Sequence, residues 1–194
     1  MREPTPEAVK QIFDRYFPAN VRIWESFAEK LKTIAYARNE IIKPCNGKEN
    51  HLNLLIKGSV ALYVCGEDTE TCIHLCYEND IFSDYLSFLR GTGTPIQSVA
   101  LEETVVWAIH KNDLQELYTR STAGVHIGKA IAEVLYIRKQ TEQIKLLTLS
   151  PQERYLQLLQ EKPEVLQRTP LKIVASFLGL TAESVSRIRK RIGK

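Results

Sequence analysis

The chain has 194 residues, of which 44% are hydrophobic and 25% charged, with a formal net charge of +3. That is enough for one ordinary domain plus a small one, and the composition is that of a protein with a real core, not of a disordered or fibrous chain. No apolar run approaches the roughly 20 residues needed to span a bilayer, and residues 1–7 lack the apolar stretch of a signal peptide. A cytoplasmic protein with no membrane partner is expected, with all four cysteines as thiols. The charge is unevenly spread: residues 148–194 hold nine Lys/Arg against four Asp/Glu, and the rest holds 17 against 19.

Thr5-Pro6-Glu7-Ala8 starts a helix, Thr5 capping and Pro6 in the first helical position. Val9, Ile12, Phe13, Tyr16 and Phe17 give it an apolar face, and a second helix is expected over Val21–Leu31. From Ile34 to His110 the character changes to short β-branched segments, namely 34–37, 40–42, 52–56, 59–64, 71–77, 81–82, 97–101 and 104–109. Turn signals such as Asn46-Gly47 and Gly66-Glu67-Asp68 separate them, which predicts an antiparallel sandwich, jelly roll or barrel. A short helix follows through Leu117 and Tyr118. A long one then runs from about Ser121 to Leu147, where Ile127, Ala130, Val134, Ile137, Thr141 and Ile144 alternate three and four apart as a heptad seam. A seam with no evident partner in so short a chain predicts pairing with a second copy, with Ile131 and Leu135 turned toward the strands. Ser150-Pro151-Gln152-Glu153 is a capping box that restarts the chain as a helix, and the hinge is expected at Thr148–Pro151.

The closing segment reads as a helix-turn-helix. Val174, Ala175 and Leu178 form the inner face of a first helix, and Gly179 supplies a left-handed turn. Thr181 caps a second helix whose Val185, Ile188 and Ile192 face inward. The opposite face carries Glu183, Ser186, Arg187 and Lys190, the hydrogen-bonding groups a helix needs in a DNA major groove.

Strands, a long helix and a C-terminal helix-turn-helix, in that order, resemble the Crp/Fnr family of bacterial transcription regulators, in the branch common in Bacteroidetes. The resemblance rests mainly on Leu149–Arg191 and, among the strands, on Leu54–Val60 and Asn79–Phe82. It implies an α+β chain. Residues 1–118 would form a cyclic-nucleotide-binding-like β-roll with N-terminal helices, residues 119–148 the dimerisation helix, and residues 149–194 a winged-helix-like module without its wing. It also implies that Glu183 and Arg187 read bases, with Ala182 where cyclic-AMP-dependent members often carry Arg. Lys172, Thr181, Ser186, Arg189 and Lys190 are the further candidate DNA contacts. The implied partners are double-stranded DNA with a pseudo-palindromic site, a second copy of the chain, and RNA polymerase.

Family members that bind cyclic AMP begin their phosphate segment with Gly-Glu and end it with Arg-Ser or Arg-Thr. Here Ser83-Asp84-Tyr85 stands at the first place and Thr94-Pro95-Ile96-Gln97 at the second. No Arg lies between Gly91 and Trp107, and Arg90 is the nearest cation in sequence. A buried phosphate without a cation is poorly compensated, so cyclic AMP is not expected to bind, and Ser83, Asp84, Tyr85, Thr94 and Gln97 mark the diverged pocket. Cys72, His74 and Cys76 alternate along one strand and would share a face, with Cys65 opposite Cys72; they read as core thiols and an edge histidine, not as a metal site. Glu102-Glu103 reads as a solvated turn. No nucleophile elbow, Walker loop or zinc spacing is present, so neither an enzyme nor a cofactor is expected. The alternative is a small-molecule or cyclic-nucleotide sensor whose C-terminal domain contacts protein.

Overall fold

The structure is a computed structural model that describes residues 3–14, 17–67, 69–120 and 122–193. Tyr16 and Ser121, assigned above to helices, lie outside the described residues. Thr5 caps α1 (Pro6–Phe13), its hydroxyl accepting from the Ala8 amide. The expected second helix divides into a 3₁₀ turn, Val21–Trp24, and α2, Glu25–Lys30. All eight expected strands form: β1 (Lys32–Tyr36), β2 (Ile41–Lys43), β3 (His51–Lys57), β4 (Val60–Cys65), β5 (Glu70–Cys76), β6 (Ile81–Phe82), β7 (Ile96–Ala100) and β8 (Thr104–His110). They make two antiparallel sheets, ordered β1-β8-β3-β6 and β2-β7-β4-β5, that close as a roll. Helix α3 (Tyr85–Arg90), inserted between β6 and β7, had no periodic signal because it is only six residues long.

Period-two alternation sorts the strand residues among three cores, two of them built by the N-terminal part of the chain. Leu55, Leu62, Cys76, Phe82, Val106 and Ala108 fill the roll. Leu52, Leu54, Trp107 and Ile109 face outward onto α1, α2 and α4 (Lys111–Arg120), together with the first turns of α5 (Thr122–Thr148). Gly124 fits where α5 crosses α4, since a Cβ there would collide with the Leu117 carbonyl.

After α5 come α6 (Pro151–Glu161), α7 (Val165–Arg168), α8 (Leu171–Phe177) and α9 (Ala182–Ile192). The expected capping box at Ser150 and Glu153 is present in both directions. Gly179 adopts the left-handed conformation, φ 67°, and the Thr181 hydroxyl accepts from the Ser184 amide.

This C-terminal unit does not hang from a free hinge. Val174, Ala175, Leu178, Val185 and Ile188 share one core with Ala61, Tyr63, Cys72, Leu75 and Tyr77 of the roll. β5 is an edge strand, and its Cys72 amide donates to the Ser176 hydroxyl of α8 at 2.9 Å.

The strand that makes this contact also departs from the simple alternation. A register shift between Leu62 and Tyr63 leaves Cys72 opposite Tyr63 and Cys65 opposite Glu70. Cys72 therefore faces the C-terminal unit and Cys76 the interior of the roll, so the expected shared face of Cys72, His74 and Cys76 does not exist. The expectation of four thiols is also corrected: Cys45 and Cys65 are joined in a disulfide, leaving Cys72 and Cys76 free.

Candidate nucleic-acid interface and ligand subsite

Helix α9 turns Val185 and Ile188 into the core and leaves the other face open. Lys172, Thr181, Glu183, Arg187, Arg189 and Lys190 are exposed, and Ala182 and Ser186 half-exposed. Glu183, bonded first to its own backbone amide and then to Thr181, is held below the usual carboxylate range. It is therefore an acceptor at neutral pH. Arg187 makes a long contact to the Ser184 hydroxyl at 3.4 Å and, among the described residues, keeps the rest of its fork free. The exposed groups thus form one polar, cationic surface on a helix short enough to enter a major groove.

Of the residues expected at the ligand subsite, Asp84 and Thr94 come together. Asp84 caps α3 by accepting from the Ser87 amide at 3.2 Å, and its other oxygen accepts from the Thr94 hydroxyl and, at 2.8 Å, from the Lys43 ammonium. Lys43 also donates to the Ile96 carbonyl at 2.5 Å. The side chains of Lys43 and Asp84 are 3% and 0% exposed, a buried ion pair with its remaining bonding capacity filled. Two expectations are corrected here. The cation nearest this subsite is Lys43 from β2, not Arg90, which closes α3 beside its C-cap Gly91. Gln97 lies on the other face of β7, opposite Tyr63, and bonds Glu70 at the surface. Tyr85 packs with Phe88 and the helical core outside the roll, and Ser83 bonds the His51 carbonyl. Nothing near Lys43 in sequence announced its partner, 41 residues away.

Beside this subsite Glu49 is buried, with its Oε2 unpaired, and burial pushes its pKa up. The Ser98 hydroxyl and the Asn53 amide nitrogen are likewise buried without a partner.

A cleft of about 640 Å³ lies between β5, α5, α6 and the end of α8. Its wall is a charge network. Arg138 of α5 donates to the Ile81 carbonyl at 2.9 Å, to Asp80 at 3.3 Å and to His74 Nε2 at 3.2 Å. Arg has no acceptor, so Nε2 accepts and His74 is neutral. Burial first, then the Arg138 and Lys162 charges, push His74 down to about 3. Burial opposes ionisation of Asp80, but Lys162 and Arg138 outweigh it and hold its pKa below the ordinary value. Further along, Arg168 of α7 grips Glu78 with two bonds of 2.7 and 2.8 Å and reaches Glu102 at 2.7 Å. Its guanidinium lies over the Tyr77 ring, whose hydroxyl bonds Thr169 at 2.6 Å. Glu102 is thus an anchor between the roll and α7, not the solvated turn residue expected.

The seam on α5 divides. Ile127 and Ala130 are 3% and 6% exposed within the chain's own core, with Ile131, so they present nothing to a second copy. Val134 is half-buried, and Thr141 is exposed. Ile137 and Ile144 are 62% and 59% exposed, and Tyr136 and Leu147 stand exposed beside them. Among the described residues no cluster of His, Cys, Asp and Glu could hold a metal, and no helix is long and apolar enough to cross a membrane.

Residues 33–121 match the family of cyclic nucleotide-binding domains. A search of curated proteins returns no match. Among solved structures, FixK2 from Bradyrhizobium japonicum aligns with TM-score 0.73 at 16% identity, over 84% of each chain. The c-di-GMP-responsive global regulator CLP from Xanthomonas campestris gives 0.70 at 16% identity, over 90% of this chain and 92% of its own. A Crp/Fnr-family transcriptional regulator structure from Eubacterium rectale gives 0.64 at 17% identity, over 92% and 88%. The strand region is therefore a cyclic nucleotide-binding-type β-roll, and the chain has the Crp/Fnr fold over the 84–92% of it that aligns with these structures.

The His74 environment sets a pH dependence. Its folded pKa lies below the unfolded value of about 6.5, so between the two the unfolded chain binds the extra proton. Stability should therefore fall as pH drops from about 6.5 toward 3, by up to about 1.4 kcal/mol per pH unit from this group. Asp80 adds a loss only lower, as pH falls through the carboxylate range. Urea unfolding from pH 7 to 4.5 should show a shallower slope for His74→Asn than for the unsubstituted chain; equal slopes would remove His74 from the account.

Proposed function

We propose that the chain is a homodimeric, sequence-specific DNA-binding transcription regulator of the Crp/Fnr type. It acts in the cytoplasm on a pseudo-palindromic site, with RNA polymerase as a further partner. Residues 149–194 read the DNA, residues 119–148 pair two copies, and residues 1–118 are a β-roll that does not respond to cyclic AMP. The observation that carries the reading is the open polar face of α9, with Glu183, Arg187, Arg189 and Lys190 exposed opposite the buried Val185 and Ile188, while Ile192, expected to face inward, is 37% exposed at the helix end.

Dimerisation is supported by the apolar surface of α5 at Tyr136, Ile137, Ile144 and Leu147, which the chain leaves uncovered. Two recognition helices held by that pairing must reach major-groove sites about 34–36 Å apart. Silence toward cyclic AMP is supported by the Lys43–Asp84–Thr94 cluster, which spends the only cation of the subsite on the chain's own carboxylate among the described residues. A regulator of this fold need not answer to a cyclic mononucleotide, since the Xanthomonas protein is described as responsive to c-di-GMP.

The decisive experiment selects a site from random duplexes and measures affinity against salt. Arg187→Ala should cost about 1–3 kcal/mol on the selected site and relax base preference there. Neutralising Arg189 or Lys190 should instead flatten the salt dependence by about one unit of slope. Unchanged affinity in Arg187→Ala would remove it from base reading, and the absence of any selected sequence would leave the protein-contact alternative. Ile144→Glu should convert the dimer to monomer in sedimentation and weaken operator binding; a dimer that survives it pairs through another surface. Calorimetric titration with cyclic AMP should give no heat and no shift in melting temperature, and micromolar binding would mean that the Lys43–Asp84 pair opens for the phosphate.

A further inference from the structure

Cys45, just past the end of β2, is bonded to Cys65, the last residue of β4, with 6.4 Å between their Cα atoms. β7 lies between those two strands in the sheet. The bond therefore bridges over the start of β7, where the Asn46 amide donates to the Thr94 carbonyl at 2.9 Å and the Cys65 amide to the Pro95 carbonyl at 2.7 Å. Both residues are half-exposed, whereas Cys72 and Cys76 are buried. Burial pushes the Cys72 and Cys76 thiols up to about 12. A thiol that is neither ionised nor accessible does not exchange, so the reactive chemistry is confined to one pair.

We propose that Cys45 and Cys65 form a reversible thiol–disulfide site, closed by low-molecular-weight disulfides and opened by low-molecular-weight thiols, whose state is passed to the DNA-reading helix. The inference rests on the DNA-binding reading above. A chain that works on DNA inside a cell meets a thiol-rich solution, where a disulfide is more often a transient sensing bond than a permanent staple. In closure, one cysteine thiolate attacks the small disulfide, forming a mixed disulfide and releasing one small thiolate. The second cysteine thiolate then attacks the protein sulfur of that mixed bond, forming Cys45–Cys65 and releasing the other. Two protein thiols are oxidised, one small disulfide is reduced to two thiols, and the two cysteine protons end on those products.

The bond has two neighbours through which its state is felt. On one side Cys45 follows Lys43 by two residues, and Thr94, held against the next residue Asn46, shares the Asp84 carboxylate with Lys43. On the other side Cys65 pairs with Glu70 at the turn end of the β4–β5 hairpin. Tyr63, Cys72 and Leu75 of that hairpin form the floor on which Val174, Ala175 and Leu178 rest. Closed, the bond ties the hairpin to the β2 end of the sheet and fixes the floor of α8, and with it the position of α9. Open, the hairpin and the 44–47 turn lose that tie. A recognition helix fixed in advance gives up less freedom on binding, so the oxidised chain binds DNA more tightly.

The test equilibrates the full-length protein in glutathione buffers of graded thiol–disulfide ratio and alkylates free thiols. In the same buffers it measures operator affinity and backbone hydrogen exchange. Cys45 and Cys65 should become labelled together as the buffer becomes reducing, with Cys72 and Cys76 protected in the native protein. Affinity should be about fivefold or more tighter in the oxidised form, within the range of ordinary coupling energies. Cys45→Ser and Cys65→Ser should each hold the reduced-state affinity in every buffer. Should either variant fail to fold, the comparison of oxidised and reduced unsubstituted protein stands alone. A pair that is disulfide in every buffer, or thiol in every buffer, overturns the proposal, as does equal or weaker affinity on oxidation. If no operator is bound in either state, the DNA reading fails. The thiol titration and a redox-dependent change in exchange over residues 59–76 and 171–178 then decide the site by themselves.

Discussion

The architecture depends on how one edge strand is covered. β5 ends its sheet, and an uncovered edge presents unpaired backbone groups to any passing strand. Here the register shift after Leu62 turns Cys72, Leu75 and Tyr77 outward together, so the edge is apolar as well as open. α8 supplies both remedies, with Val174, Ala175 and Leu178 against the side chains and the Ser176 hydroxyl for the Cys72 amide. The helix-turn-helix thereby shares a core with the outer face of the β4–β5 hairpin. A change in the roll has a direct mechanical route to α9 that does not run through the α5–α6 hinge.

Polar anchors around this contact fix its geometry. Tyr77 carries Lys162 and Arg168 over its ring, at 4.9 and 5.3 Å, while its hydroxyl reaches Thr169. Arg168 divides its fork between Glu78 and Glu102, and Asp80 lies between Lys162 and Arg138. Charged pairs of this kind add little where water screens them, but here they are partly enclosed and joined through shared partners. Their main effect is directional. Each carboxylate comes from the roll and each cation from α5, the C-cap of α6 or α7, so the network specifies one orientation of the three parts.

Inside the roll the same logic produces self-sufficiency. A cyclic phosphate in such a fold needs a cation and hydrogen-bond donors at the ends of the segment around α3. This chain places Asp84 and Thr94 at those ends and brings Lys43 in from β2 to join them. Removing either member would strand a buried charge, at about 3–5 kcal/mol, so the cluster belongs to the folded state as much as any apolar contact. The long helix shows a related division of labour. Its first half, with Ile127, Ala130 and Ile131, is consumed by the chain's own core, and its second half, with Ile137, Ile144 and Leu147, stays open.

Local chemistry was legible in the sequence wherever neighbours along the chain set the outcome. The Thr5 and Thr181 caps, the Ser150–Glu153 box, the Gly179 turn, the eight strands and the inward Val185 and Ile188 of α9 all follow from interactions within four residues or from simple periodicity. What the tertiary structure decided was every pairing across long separations. Lys43 meets Asp84, Cys45 meets Cys65, Arg168 meets Glu78 and Glu102, and Ile127 turns to the core instead of to a second copy. A one-residue register shift in the β4–β5 pairing put Cys72 and Cys76 on opposite faces, which no alternation rule could foresee. The reason is physical: caps and periodicity are fixed by bonded geometry, whereas partners distant in sequence are chosen only when the chain closes and each buried charge must find its complement.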